Sequence, residues 1–133
     1  MLRGLTTVTY PTTDVRAAVA WYSELLGVEP YFAQPSKEDP AYAEFRIGDH
    51  LHELGILDSR FTPGGQAERP AGSITYWAVD DVQAAYDRLL ELGATAHDAP
   101  TERGPGYVTA SVIDPFGNVL GVMYNEHYLE MVG

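Results

Sequence analysis

The residues best equipped for chemistry crowd into one short stretch: His50, His52 and Glu53. Imidazole and carboxylate are common donors to divalent ions and common general acids and bases. Successive side chains of an extended strand face opposite ways. His52 and Glu53 therefore cannot share a face, whereas His50 and His52 can, as an i, i+2 pair able to touch one ion. Histidines beside a hairpin turn are ordinarily surface residues, and a divalent ion needs several donors converging on one point. Just upstream, Glu44 and Arg46 alternate with Phe45 and Ile47, a polar face against an apolar one. His97 and His127 fall at a strand end and in the tail, where no site is expected. The chain has no Cys, which removes thiolate ligands, Cys nucleophiles and disulfides.

These residues must be positioned by strands, and the chain reads as strands and helices in a repeated order. Leu5 to Tyr10 is a strand closed by Pro11, and Thr13 or Asp14 caps a helix running to Gly27. Val15, Ala18, Val19, Tyr22 and Leu25 lie at helical spacing on one side of it. Strands are expected at Val28 to Ala33, Tyr42 to Ile47 and His50 to Leu57, with Gln34 to Pro40 a loop. Gly48-Asp49 reads as a two-residue hairpin turn. That register sets 47 against 50 and 46 against 51, making Arg46 and Glu53 a diagonal pair.

The pattern then recurs. Val82, Ala85, Tyr86, Leu89 and Leu92 repeat the first helical set 67 positions on, behind Asp80-Asp81 and ahead of Gly93. Ile74 to Val79 precedes this helix as a strand. A short strand near Ala94 to His97, a loop through Pro100 and Gly104-Pro105-Gly106, and strands Tyr107 to Ile113 and Val119 to Tyr124 follow. Asp114-Pro115-Phe116-Gly117-Asn118 is a turn between the last two. A long unit present twice is a duplicated module. The domain 1–133 thus divides into a β-α-β-β-β module over 3–58, a Gly- and Pro-containing linker over 59–71, a second module over 72–125, and a tail over 126–133, either short helix or arm. Trp21, Tyr22 and Tyr86 sit at core spacing, so packing is their expected role rather than an aromatic cage.

At 133 residues the chain suits one domain or two intimate modules. Its net charge of −11 argues against nucleic acid, whose phosphates require a basic surface, and is compatible with a cationic ligand. No apolar run approaches a membrane span and no signal-peptide core is present, so a cytoplasmic, membrane-free protein is expected.

Two β-α-β-β-β modules, the aromatic-rich helix ending Leu25-Leu26-Gly27, and the Asp114-Pro115-Phe116-Gly117-Asn118 turn before the final strand together resemble the vicinal oxygen chelate superfamily. That group includes glyoxalase I, bleomycin-resistance proteins and extradiol dioxygenases. The resemblance spans about residues 3 to 125. It implies an α+β fold in which two tandem modules form an open, curved mixed-sheet barrel, its groove holding a small molecule and, in many members, a metal ion. It also implies a homodimer, which unpaired sheet edges would favour; a light-scattering mass near the single-chain 14.6 kDa would contradict that.

The resemblance places the metal ligands at Thr7, Glu53, Ile74 and Gly121. One carboxylate among four positions is not a metal site, so no cofactor is expected; were a metal present, a divalent ion near Glu53 is the expectation. Strand parity from these positions lines the groove with Thr7, Thr9, Glu44, Arg46, Glu53, Tyr76, Thr109 and Met123, and also with Leu51 and Gly55. Glu53 is the candidate catalytic residue, as general base or cation anchor, with a plain Arg46–Glu53 ion pair the competing reading. Three functions follow: a metal-independent binding protein for a small, cationic or aromatic ligand; a metal-dependent glyoxalase-type lyase or dioxygenase with a rearranged site; or a metal-free enzyme using Glu53 as base.

Overall fold

A computed structural model describes residues 1–133, which divide into two compact units, Met1–Glu68 and Arg69–Gly133. In the first, β1 (Thr7–Thr12) leads into helix α1 (Val15–Leu26), followed by β2 (Phe32–Gln34), β3 (Tyr42–Ile47) and β4 (His52–Asp58). The sheet order is β1-β4-β3-β2, with β1 parallel to β4 and the other pairs antiparallel. The helix starts where the sequence places it. The Asp14 carboxylate accepts the Ala17 N–H at 3.0 Å, and Gly27 closes the other end in the left-handed region, φ 70°.

Alternation along each strand gives the sheet two unlike faces. Tyr10, Ala43, Phe45, Leu54 and Ile56 are buried, as are Val15, Ala18 and Tyr22 of α1, and the Tyr10 and Tyr22 rings meet at 5.9 Å. Val19 is half-buried, not fully buried, because Ala18 takes the central position. The opposite face carries Thr7, Thr9, Tyr42, Glu44, Arg46, Glu53 and Gly55.

Several boundaries differ from those expected of this unit. Pro11 does not end β1; the strand runs through it because β1 is an edge strand, where a missing N–H need cost no ladder bond. The strand expected at Val28 to Ala33 shrinks to Phe32–Gln34. The hairpin has a four-residue connection, not a two-residue turn: Ile47 pairs with His52, and Gly48 to Leu51 lie between. Leu51 there takes φ 55° and stays exposed, so it belongs to the turn and not to the sheet face. His50 lies in the same turn.

The second unit repeats the order: β5 (Thr75–Ala78), α2 (Val82–Glu91), β6 (Thr95–Gly104), β7 (Tyr107–Ile113) and β8 (Val119–Asn125), arranged β5-β8-β7-β6. The Asp81 carboxylate caps α2 through the Ala84 N–H at 3.0 Å. Val82, Tyr86, Leu89, Ala110, Val112, Leu120 and Val122 are buried. The turn before β8 is held by Asp114, whose Oδ1 accepts the N–H groups of Phe116 and Asn118 at 2.9 and 2.8 Å. The tail is a short helix, α3 (Glu126–Val132), capped by Asn125. The loop expected through Pro100 is instead strand. β6 runs ten residues and absorbs Pro100 through three register irregularities, an arrangement open to an edge strand.

Candidate functional site

On the first sheet, cross-strand pairing sorts the polar face into rows. Thr7, Glu53 and Arg46 are opposed across β1, β4 and β3, and Thr9, Gly55, Glu44 and Phe32 form the next row. Arg46 is thus directly opposite Glu53, not diagonal to it; the longer turn shifts the register by two. Directly opposed residues on one face are close enough to interact. Glu53 Oε1 accepts the Thr7 hydroxyl at 2.7 Å, and Glu53 Oε2 stands 3.5 Å from Arg46 Nη2. The carboxylate sits among polar partners, its side chain 22% exposed, rather than alone in an apolar wall.

Glu44 anchors the other half of the cluster. The Tyr31 and Tyr42 hydroxyls both donate to its carboxylate. Tyr42 can lean across the sheet because Gly55 has no side chain; a Cβ there would fall 2.6 Å from the Tyr42 hydroxyl oxygen. Arg46 links the halves, its guanidinium carbon 4.5 Å from the Tyr31 ring centroid. Burial, and then the negative charge of Glu53, push the Glu44 carboxyl above its ordinary range, against a smaller opposing pull from Arg46. Burial and the charge of Glu53 likewise raise the Tyr42 phenol. Both shifts favour the neutral forms.

Tyr42 was within reach of strand parity, two positions before Glu44. Tyr31 was not, because it precedes the short β2 and enters the cluster only through tertiary geometry. Its backbone N–H bonds to the Glu44 carbonyl at 3.1 Å.

The second sheet presents Tyr76, Gly121 and Met123 on the face away from α2, with Tyr76 opposite Gly121 and Thr109 opposite Met123. The structure covers Thr109, which is 3% exposed and accepts a hydrogen bond from Arg103 Nε at 3.0 Å. Arg103 Nη2 in turn meets Asp98 at 2.6 Å. His97, at a strand end where no site is expected, has its Nδ1 2.7 Å from the Ser111 hydroxyl. The irregular register of β6 hides these partners from parity reasoning.

The metal positions implied by the family resemblance fail on chemistry. In the first unit, Thr7 and Glu53 supply one hydroxyl and one carboxylate, too few donors for a divalent ion, and the neighbouring Arg46 adds a positive charge and no ligand. In the second, Ile74 and Gly121 supply no donor. The Tyr76 ring lies where a side chain at 121 would stand; a Cβ there would be 2.6 Å from Tyr76 Cδ1. The His50 and His52 rings lie 6.0 Å apart, and no group of three or more His, Asp or Glu converges to hold an ion. Trp21 packs edge-on to the buried Tyr22 at 4.8 Å, and Tyr86 is buried, so neither helix offers an aromatic cage.

Solved structures share this architecture. A glyoxalase-related enzyme from Fulvimarina pelagi aligns over 93% of this chain and 89% of its own, with TM-score 0.74 and 18% identity. A glyoxalase/bleomycin resistance protein from Streptomyces sp. CB03234 aligns over 90% and 98%, at 0.66 and 24%. A lactoylglutathione lyase from Agrobacterium tumefaciens aligns over 92% and 94%, at 0.68 and 18%. At these identities the likeness is one of fold. No curated protein matches the chain. No helix is long and apolar enough to cross a membrane. The family model for the Glyoxalase/Bleomycin resistance protein/Dioxygenase superfamily matches residues 4–122, nearly the whole of both units, and on that match and the paired β-α-β-β-β architecture the chain belongs to this superfamily.

Proposed function

We propose that the protein binds a small organic molecule on the face of the first sheet opposite α1, without the family's metal ion. The observation that carries this reading is the connected polar cluster: Thr7, Glu53 and Arg46 in one row, with Tyr31 and Tyr42 both donating to Glu44. A binding site combines apolar or aromatic surface with a few converging polar groups. This face has both, and none of these side chains is needed to close the core beneath α1. The same reading gives Thr9 a neighbouring contact role, and Tyr76 and Met123 equivalent roles on the second sheet.

Two enzymatic alternatives are supported less well. A glyoxalase-type lyase or dioxygenase needs a metal that this donor set does not suit. A metal-free enzyme needs a base. Glu53, tied to Thr7 and Arg46, is a weaker candidate for that than Glu44, whose raised proton affinity and two phenol partners suit proton transfer.

A thermal-shift screen of small molecules, followed by titration of the best hit, tests the binding reading. Glu53→Gln is nearly isosteric and is expected to leave the fold intact while weakening that hit by about 1.5–3 kcal/mol, the range for a hydrogen bond to a charged group. Unchanged affinity, with the ligand's amide shifts falling away from β3 and β4, would overturn it.

A further inference from the structure

The first-sheet cluster contains two carboxylates and one cation, and the cation is its least firmly held member. Tyr31 and Tyr42 fix Glu44 by direct hydrogen bonds, and Thr7 fixes Glu53 at 2.7 Å. Arg46, by contrast, stands 3.5 Å from Glu53, beyond the ~2.7–2.9 Å of a charge-assisted hydrogen bond, with half its side chain exposed. Its other partner is the face of the Tyr31 ring, at 4.5 Å. An exposed ion pair and an exposed cation–π contact are each weak, because water solvates the charge nearly as well. The guanidinium thus occupies, loosely, a place defined by an aromatic face on one side and a carboxylate on the other. Beside it, the exposed Phe32 ring lies 6.4 Å from the rings of both Tyr31 and Tyr42.

We infer that Arg46 is a built-in stand-in for the ligand, and that the site takes a flat organic cation of the amidinium or guanidinium class, which displaces Arg46 from Tyr31 and Glu53. This rests on the proposed binding role of the first sheet and names its ligand class. An anion would have to approach two carboxylates, one already disfavoured in its charged form. A neutral aromatic would use the rings and leave the carboxylates unengaged. A planar cation uses both. Once displaced, Arg46 swings into water at small cost because its side chain is already half solvated.

Benzamidine, benzamide and benzoate are matched probes carrying a positive, a neutral and a negative head on one ring. Each would be titrated into the ¹⁵N-labelled protein near physiological salt, following the amides of residues 31–32, 42–46 and 52–55. Benzamidine is expected to give saturable shifts there, with benzamide and benzoate at least about tenfold weaker. Arg46→Gln removes the internal competitor and is expected to tighten benzamidine roughly twofold to tenfold, the combined worth of the two weak contacts. Glu53→Gln is expected to weaken it by about tenfold or more. Retained dispersion of the amide spectrum shows that each variant is folded. Benzoate binding on this face as tightly as benzamidine, or Arg46→Gln weakening benzamidine, would overturn the cation inference and leave the binding site standing. No saturable shift on this face from any of the three would overturn both.

Discussion

Glu44 is the residue with the clearest pH signature. Its folded pKa lies above the ordinary 4.5, through burial first and the charge of Glu53 second. An acid shifted this way holds more protons folded than unfolded between its two pKa values. Stability from this group is therefore present at low pH and lost as pH rises from about 4.5 through the folded value. Glu44→Gln cannot ionise; it keeps an acceptor oxygen for one phenol and presents an amide N–H to the other, whose hydroxyl can turn to accept it. Melting temperatures measured across the weakly acidic range should fall with pH less steeply in Glu44→Gln than in the parent, and parallel curves would show that Glu44 is not under strain. The family resemblance pointed to Glu53, because it places a ligand position there, and residue types added only that this position still carries a charge. Neither could rank Glu44 above it, since the ranking depends on which carboxylate the tyrosines reach.

Among the elements, β4 and β8 share a device: a glycine over which a tyrosine ring lies, Tyr42 over Gly55 and Tyr76 over Gly121. At Gly121 an added methyl would meet Tyr76 Cδ1 at 2.6 Å and the Thr75 backbone oxygen at 3.0 Å. Relief requires the ring to swing off the sheet, and the backbone contact cannot move so easily. Gly121→Ala is expected to cost about 1–3 kcal/mol by urea unfolding, as overpacking does. Pairing it with Tyr76→Ala should recover part of that loss; additive penalties would place the strain in the backbone. The capped helices, with their 3.6-residue periodicity and Asp and Gly at either end, were legible because local chemistry decides them. The hairpin was not, since Gly48-Asp49 matches a tight turn, and the observed pairing of Ile47 with His52 and Phe45 with Leu54 differs from it by two residues, a shift that keeps every side chain on its face and so leaves no mark on the apolar pattern. Pro100 misled for a related reason: a proline excludes a central strand but not an irregular edge.

At the scale of the molecule, duplication was the most legible fact, because each unit closes its own core and repeats the same helical spacing. Its chemistry was less so: strand parity gathers Thr7, Thr9, Glu44, Arg46 and Glu53 correctly on one sheet face but cannot see Tyr31 before β2 or Arg103 across an irregular strand. The two sheets also have four unpaired borders, and each is poorly suited to growth. β1 carries Pro11, β2 has three residues, β5 has four, and β6 combines Pro100, Asp98 and Arg103 with shifted register. An assembly built by adding strands finds no long flat border here, which weakens that ground for a homodimer and protects the chain at high concentration from fibril-like stacking. Asp98→Val with Pro100→Val removes a charge and the proline from the longest border. Heated at high concentration, that double variant should scatter light and bind thioflavin T well before the parent does; equal lag times would mean that the irregular register of β6 alone keeps neighbouring molecules apart.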